Sequence, residues 1–272
     1  MGPIGIFDSG YGGLTILNDI RKRLPEYDYI YLGDNARTPY GTRSFEVVYQ
    51  YTLECVQKLF SLGCHLVVLA CNTASAKALR TIQQNDLPGI DSSRRVLGVI
   101  RPTVEQLDQL TVTGHVGLLA TPGTVQSDSY PIEIHKLNPE IKVSSVACPM
   151  WVPLIENNEH LTPGAAYFVE KNITELMEAD PEIDTIILGC THYPLLTPLI
   201  RKYISPAVRI IEQGTIVADS LKEYLNRHPE LEQQCSKEGS CRYLTTESTS
   251  KFNASASIFL SNQVEAEHLT LF

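Results

Sequence analysis

The sequence predicts an α/β protein with two pseudo-symmetric doubly wound domains, mainly parallel sheets and an active site in the cleft between the domains. Short apolar runs rich in β-branched residues alternate with longer amphipathic stretches, which is the pattern of βαβ units. Four of these runs are followed by a polar side chain or a thiol at the same relative position, two in the first third of the chain and two further on. This repetition indicates two similar halves that face each other.

Eight apolar runs are predicted as strands, because each has the length and the β-branched content of a buried strand. The stretches between them carry apolar residues at the three- and four-residue spacing of an amphipathic helix. The predicted strands are 3–7, 29–32, 66–70, 96–100, 116–120, 143–147, 183–188 and 208–211. The predicted helices are 14–24, 44–62, 74–84, 103–110, 165–177 and 217–226.

The predicted domains are discontinuous in sequence. We place the boundary in the loop at 90–95, and a strand and helix pattern resumes after residue 206. The first domain is therefore predicted at 1–96 with 206–272, and the second at 97–205. In this arrangement the end of the chain returns to cover the first half.

Composition excludes several classes of partner. The chain has 272 residues, of which 43% are hydrophobic, and this suffices for a packed core. The net charge of −9 without a basic run argues against nucleic acid and against an anionic membrane surface. No apolar stretch reaches the roughly 18 residues of a spanning helix. Seven cysteines, an odd number, favour reduced thiols, so we expect a cytoplasmic protein that binds a small molecule.

Two cysteines, Cys71 and Cys190, directly follow apolar runs and precede helical stretches. Ligands of open α/β sheets bind at the carboxyl ends of the strands, so we expect both thiols at the binding crevice. The dipole of the following helix is expected to lower the pKa of such a thiol and make it a base. His192 is expected to assist Cys190, and Asp8 to assist Cys71, by hydrogen bond or charge.

Three chemistries compete for the two thiols. A zinc site needs four ligands, and only Cys190 and His192 approach ligand spacing. A Cys–His nucleophile would indicate acyl transfer, but it leaves Cys71 without a role. Proton transfer at carbon uses both thiols, one as the base on one face and the other as the acid on the opposite face. The ordinary alternative, a small buried hydrophobe, is our expectation for the other five cysteines: Cys55, Cys64, Cys148, Cys235 and Cys241.

The polar residues beside the thiols suit an amino-acid substrate. Asn72, Thr73 and Thr191 supply donors for a carboxylate, and Asp8 supplies a counter-charge for an ammonium group. The glycine-rich turn that begins at Ser9 offers free backbone N–H groups before a helix. The alternatives are a tight strand-to-helix turn and threonines that cap helices.

A second anion site is predicted in the loop 34–41. It contains Pro and Gly and follows a predicted strand, and the backbone N–H groups of Tyr40 and Gly41 are its candidate donors. Two anion sites and one cation site describe an acidic amino acid. The alternative is an ordinary surface turn.

Four motifs together resemble the glutamate racemases of the aspartate/glutamate racemase superfamily. The motifs are FDSGYGG at 7–13, TPYG at 38–41, ACNTA at 70–74 and GCTHYP at 189–194. The resemblance extends from about residue 4 to residue 259. Two positions depart from the family pattern: Tyr11 replaces a small aliphatic residue, and Arg101 lies in a segment that more often carries an acidic residue and a glycine.

The resemblance implies the roles of the site residues. Cys71 corresponds to the base that deprotonates D-glutamate and Cys190 to the base that deprotonates L-glutamate, with Asp8 and His192 as the groups that assist them. The implied substrate contacts are Asp8, Ser9, Tyr40, Gly41, Asn72, Thr73, Thr191 and His192, with Thr121 and Thr124 as additional ones.

The resemblance also implies an enzyme that uses no cofactor, forms a homodimer and supplies D-glutamate for peptidoglycan. The spacing of the candidate ligands predicts that no metal is bound. The rival within the class is aspartate racemase, which would need a shallower side-chain pocket, and the motif at 38–41 favours glutamate. The rival from another class is a non-catalytic amino-acid-binding module. The presence of both Cys71 and Cys190 argues against it.

Overall fold

The computed structural model of the protein describes residues 1–260 and 263–271. The strands of this part of the chain form two sheets, and every pairing in them is parallel. The strands are β1 (Ile4–Asp8), β2 (Tyr29–Gly33), β3 (Leu66–Leu69), β4 (Arg95–Gly98), β5 (His115–Ala120), β6 (Lys142–Ala147), β7 (Thr185–Gly189), β8 (Arg209–Ile211), β9 (Cys241–Thr245) and β10 (Ala266–His268). The sheet orders are β10-β9-β2-β1-β3-β4 and β6-β5-β7-β8.

Helices connect the strands, and several of them are short. A π-helical turn at Ile82–Asp86 and a 3₁₀ turn at Tyr193–Leu196 interrupt the α-helical segments. The α-helices are α1 (Gly13–Arg23), α2 (Phe45–Ser61), α3 (Asn72–Lys77), α4 (Leu79–Thr81), α5 (Leu87–Ile90), α6 (Ile100–Val104), α7 (Leu107–Leu110), α8 (Pro122–Gln126), α9 (Ser129–Leu137), α10 (Trp151–Glu156), α11 (Pro163–Ala179), α12 (Thr197–Ile200), α13 (Gln213–Arg227), α14 (Pro229–Glu232) and α15 (Thr249–Phe259).

The two halves have the same central topology. The order β2-β1-β3-β4 in the first sheet repeats as β6-β5-β7-β8 in the second. Cys71 after β3 and Cys190 after β7 therefore occupy equivalent places, as do Asp8 at the end of β1 and Thr121 after β5. The direction of the strand order reverses between β1 and β3 and again between β5 and β7, where ligands of doubly wound sheets bind. The predicted fold class is confirmed.

Each sheet is packed on both faces, so its strands are apolar along their whole length. In β2, Tyr29 and Tyr31 belong to the core under α1 and α13, whereas Ile30 and Leu32 belong to the core under α2. The second sheet likewise separates two apolar cores. These cores hold the strand ends, and hence the thiols, in fixed positions. No helix among residues 1–260 and 263–271 is long and apolar enough to cross a membrane.

The eight predicted strands are present, with ends shifted by a few residues. The helices predicted at 74–84 and 103–110 are wrong as single units. The first stretch is shared by α3, α4 and the π turn, and the second by α6 and α7 with a turn between them. Strand β9 and the edge strand β10 escape a search for apolar runs, because polar and charged residues interrupt them: CRYLT in β9 and AEH in β10.

The domain bounds, 1–96 with 206–272 and 97–205, stay a prediction. The structure adds one observation on them: β8 follows residue 206 but pairs with β7 of the second sheet. The chain rejoins the first sheet only at β9, which pairs with β2. We therefore propose that the return crossing between the halves lies after Ile211.

Candidate active site

A narrow cleft of about 80 Å³ lies between the carboxyl ends of the two sheets. Residues from both halves line it, and ten of the twelve predicted site residues are among them. These ten are Ser9, Tyr40, Gly41, Cys71, Asn72, Thr73, Thr121, Cys190, Thr191 and His192. The remaining two, Asp8 and Thr124, are buried directly behind this layer. The volume suits a small ligand, since pockets for drug-sized ligands usually span about 300–1,000 Å³.

Cys71 caps the amino end of α3. Its Sγ accepts a hydrogen bond from the backbone N–H of Ala74 at 3.4 Å and lies 3.3 Å from Oγ of Ser9. The expected lowering of its pKa is wrong. Burial raises the pKa of Cys71 to about 12, the negative charge of Asp8 adds to the rise, and the two hydrogen bonds offset it only in part.

Cys190 faces an imidazole that is itself anchored by a carboxylate. His192 Nδ1 lies 3.8 Å from Sγ of Cys190, and His192 Nε2 lies 3.0 Å from Oε1 of Glu156. Burial alone would lower the pKa of His192, but the hydrogen bonds to Cys190 and Glu156 raise it to about 10. His192 therefore holds a positive charge beside Cys190 at neutral pH.

Asp8 is fully buried at the end of β1. Its Oδ2 accepts a hydrogen bond from the backbone N–H of Gly10 at 3.0 Å, and its Oδ1 has no hydrogen-bond partner among the described residues. Burial raises its pKa, although the charge of His192 and the backbone bonds oppose the rise. The group that touches Sγ of Cys71 is Ser9, so any help that Asp8 gives to Cys71 acts through charge.

Three threonine hydroxyls meet across the cleft. Thr73 Oγ1 lies 2.9 Å from Thr121 Oγ1 and 3.3 Å from Thr124 Oγ1, and the latter two are 3.1 Å apart. Thr73 belongs to α3 of the first half, whereas Thr121 and Thr124 cap and begin α8 of the second. The cluster therefore links the halves beside the thiols.

Tyr40 and Gly41 face the cleft through their backbone. The Tyr40 hydroxyl donates to Oδ2 of Asp34 at 2.5 Å, away from the cleft, and Nε of Arg37 donates to the same oxygen at 2.6 Å. The backbone N–H groups of Tyr40 and Gly41 have no acceptor in the described part of the chain. They are therefore free to bind an anion.

The glycine-rich turn after β1 packs directly on the second half. A Cβ atom at Gly12 would lie 2.3 Å from Oγ1 of Thr191 and 2.4 Å from Nδ1 of His192. Only glycine permits this approach. The turn therefore positions the imidazole that faces Cys190.

Comparison with known families decides the class of this protein. Residues 15–221 match the family model of the Asp/Glu/hydantoin racemases, which covers well over half of the chain. The chain belongs to the Asp/Glu/hydantoin racemase family. As a racemase it is an isomerase, and the resemblance predicted from the four motifs is confirmed.

The similar racemases include curated and structurally solved proteins. The chain is 38% identical to the glutamate racemase of Ruegeria sp. (strain TM1040), over 97% of this chain and 98% of that protein. A glutamate racemase isoform of Bacillus anthracis shares 35% identity and superposes with a TM-score of 0.90 over 99% of this chain and 98% of that one. The Francisella tularensis glutamate racemase, solved in complex with D-glutamate, has 32% identity and a TM-score of 0.88 over 99% and 98% of the two chains.

Among the described residues no group of three or more His, Cys, Asp or Glu side chains is placed to hold a metal ion. Cys148 also lines the cleft, but burial raises its pKa well above the usual value and keeps it a thiol. Cys241 is partly exposed, so the expectation of a buried side chain is wrong there. The two residues that depart from the family pattern, Tyr11 and Arg101, do not line the cleft. Tyr11 packs on Phe252 of α15 with ring centroids 5.5 Å apart, and Arg101 pairs with Glu105 on the surface.

Sequence reasoning missed Glu156 in this racemase. It lies at the end of α10, 36 residues before His192, and no motif surrounds it. A carboxylate on an amphipathic helix ordinarily faces water, so only the folded structure reveals its partner. Gln213 and Tyr130, which hydrogen-bond to Asn72 behind the cleft, were also missed, because these contacts join segments that are distant in sequence.

Proposed function

We propose that this protein interconverts L-glutamate and D-glutamate without a cofactor, by proton transfer at Cα between two cysteines. The observation that carries the proposal is the placement of Cys71 and Cys190. One thiol comes from each half, at equivalent strand ends, and both line one small cleft. Full-length similarity to glutamate racemases supports the choice of substrate.

In the L to D direction, the Cys190 thiolate removes the Cα proton and becomes a thiol. The electron pair left on Cα spreads into the adjacent carboxylate. The Cys71 thiol then donates its proton to the opposite face of Cα and becomes a thiolate. The D to L direction begins with Cys71 as the thiolate and Cys190 as the thiol, so the two sulfurs exchange roles.

The charges around the two thiols suit the removal of a proton from L-glutamate. Protonated His192 lies 3.8 Å from Sγ of Cys190 and stabilises a negative charge on that sulfur. Cys71, with a pKa of about 12, retains its proton at neutral pH. Cys71 therefore serves as the acid on one side of the cleft, and His192 supplies the charge that stabilises a thiolate on the other.

The polar groups around the thiols supply partners for both ends of glutamate. Oδ1 of Asp8 is buried without a hydrogen-bond partner in the described residues, which suits a substrate ammonium group. Hydroxyls of Thr73, Thr121 and Thr191 and the amide of Asn72 supply donors for the α-carboxylate. The free N–H groups of the loop 38–41 supply donors for the side-chain carboxylate. Thr124 acts through Thr73 and Thr121.

Two rival functions remain as alternatives. Solved aspartate racemase relatives have 17–18% identity and TM-scores of 0.51–0.53, which show the shared fold alone. A non-catalytic amino-acid-binding module would have no need of two thiols, each held by its own set of polar groups. Glutamate racemisation accounts for both thiols and for both anion sites.

The decisive experiment follows optical rotation of L-glutamate and of L-aspartate with the reduced protein, without cofactor and with a chelator. We expect the glutamate signal to decay to zero and the aspartate signal to persist. The Cys71→Ser/Cys190→Ser double variant is the control for non-enzymatic loss. Faster decay with aspartate would favour aspartate racemase. Glutamate binding in calorimetry without decay would favour the binding module.

The remaining biological assignments are part of the same proposal. In bacteria this reaction supplies D-glutamate for peptidoglycan, and we propose that role here, in the cytoplasm, where the thiols stay reduced. We also propose a homodimer. Analytical ultracentrifugation tests the assembly, and a single species at the mass of one chain would contradict it.

A further inference from the structure

Asn72, Gln213 and Tyr130 form a closed ring of hydrogen bonds behind the cleft. Nδ2 of Asn72 donates to Oε1 of Gln213 at 2.6 Å, and Nε2 of Gln213 donates to the Tyr130 hydroxyl at 2.8 Å. The Tyr130 hydroxyl donates to Oδ1 of Asn72 at 2.7 Å and closes the ring. All three side chains are buried. Hydrogen bonds that share donors and acceptors in a dry interior reinforce one another, so the ring is a rigid unit.

The ring joins segments from both halves of the molecule. Asn72 begins α3 directly after Cys71, and Tyr130 lies in α9 of the second half. Gln213 begins α13, where the chain leaves β8. Nε2 of Gln213 also donates to Oγ1 of Thr103 at 2.8 Å and approaches the carbonyl oxygen of Val99 at 3.3 Å. Val99 and Thr103 lie where the chain leaves β4, so both crossings between the halves contact the ring.

The Val99 carbonyl fixes the orientation of both amides. The Thr103 hydroxyl donates its one hydrogen to this carbonyl oxygen at 2.8 Å, so Oγ1 of Thr103 must accept from the NH2 group of Gln213, and Oε1 of Gln213 must face Asn72. Asn72 then presents its NH2 group to Gln213 and its oxygen to Tyr130. A flip of either amide would set two oxygens or two NH2 groups against each other, and buried groups would lose their partners.

One donor of the ring remains free toward the cleft. Nδ2 of Asn72 carries two hydrogens, of which Gln213 accepts one, and no second acceptor lies within the described residues. Asn72 lines the cleft beside Cys71. We propose that Tyr130 and Gln213 are positioning residues, which hold the Asn72 amide so that its free N–H donates to a carboxylate of glutamate. The inference rests on the function proposed above.

The test is Tyr130→Phe, which removes the donor to Oδ1 of Asn72 and keeps the aromatic ring. We expect KM for both enantiomers to rise about tenfold and kcat to change by less than about threefold, because a hydrogen bond to a charged substrate is loosened. The equilibrium constant between enantiomers is one, so kcat/KM must fall by the same factor in both directions. This equality checks the kinetic data internally.

Tyr29→Phe is the matched control. The Tyr29 hydroxyl is also buried and donates to the carbonyl oxygen of Leu24 at 2.7 Å, but it lies under α1, away from the cleft. We expect this variant to lower the melting temperature by an amount similar to Tyr130→Phe and to leave KM unchanged. If KM also rises in Tyr29→Phe, the KM increase in both variants reflects a general loss of packing, and the proposal is overturned.

A double-mutant cycle with Asn72→Ala shows whether Tyr130 acts through Asn72. We expect Tyr130→Phe to change KM by less than about twofold once the Asn72 amide is absent. Equal KM effects in both backgrounds, or no KM effect in Tyr130→Phe, would overturn the proposal. If Tyr130→Phe does not fold, Gln213→Glu reports on the same ring, because a carboxylate cannot donate to Tyr130, and the same cycle applies. Absence of glutamate turnover in the wild-type protein would instead overturn the proposed function.

Discussion

Oε1 of Glu156 lies 3.0 Å from Nε2 of His192, at the end of the imidazole opposite Cys190. The imidazole is buried between the carboxylate and the sulfur, and Phe259 packs on its edge with ring centroids 5.3 Å apart. Burial lowers the pKa of His192, but the hydrogen bonds to Cys190 and Glu156 outweigh this effect and raise the pKa to about 10. Glu156 therefore sustains the positive charge that faces Cys190.

Replacing this carboxylate tests its electrostatic role. We expect Glu156→Gln to lower the pKa of His192 and to reduce kcat about tenfold, since one unit of pKa corresponds to about 1.4 kcal/mol. The titration of ¹³C-labelled histidine, assigned with His192→Asn, measures the pKa by NMR. Glu159→Gln, an exposed carboxylate in the next loop, is the control and should change neither quantity. An unchanged His192 titration in Glu156→Gln would exclude the role.

The raised pKa of His192 also predicts how stability depends on pH. The folded pKa is about 10, whereas the ordinary value is 6.5. A raised pKa stabilises the fold fully below pH 6.5, and this contribution is lost as the pH rises through 10. Urea unfolding at pH 6, 8 and 10 should therefore show that wild type loses on the order of 2 kcal/mol more than His192→Asn across this range. A smaller loss in wild type than in the variant would contradict the assignment.

The contact between Gly12 and His192 predicts a sharp steric effect. In Gly12→Ala, the new methyl group would overlap Nδ1 of His192 and Oγ1 of Thr191, so the imidazole must move away from Cys190. We expect kcat/KM to fall at least about a hundredfold, the scale set by displacement of a catalytic group by roughly 1 Å. Gly89→Ala is the matched control, because a Cβ there meets no atom within 4 Å. Similar activities of the two variants would show that the close approach is unimportant.

The two thiols are predicted to act on opposite enantiomers. A β-chlorinated glutamate eliminates HCl once its Cα proton is removed, so it needs one base and no proton return. We expect Cys190→Ser to eliminate from the D enantiomer through Cys71, and Cys71→Ser to eliminate from the L enantiomer through Cys190. Chloride release measures both reactions. Equal elimination from both enantiomers by one variant would contradict the assignment of faces.

The sequence predicts the strands that deliver Cys71 and Cys190 because the signal is local. A buried parallel strand is a continuous apolar run, and the residue after it stands at the ligand edge of the sheet. The same local signal locates Asp8 and Thr121. Strand β9 lacks this signal: only Leu244 and Thr245 in it are buried, so no continuous apolar run marks the strand.

Contacts between distant segments could not be predicted in this way. Glu156 reaches His192 only because α10 packs beside the strand end after β7, and Gln213 reaches Asn72 across 141 residues. The pKa of Cys71 shows the same limit. Its place at a helix start is visible in the sequence, but the burial that raises its pKa depends on the whole fold.

The path of a solvent deuteron tests the two-thiol account most directly. L-glutamate is incubated with the wild-type protein in D2O, and the reaction is stopped within the first few per cent of conversion. Separation of the enantiomers and mass spectrometry then locate the label. Two opposed thiols predict deuterium at Cα of nearly all D-glutamate formed, while the recovered L-glutamate retains its proton. D-glutamate that keeps the original proton, or L-glutamate that gains deuterium before product forms, would contradict the account.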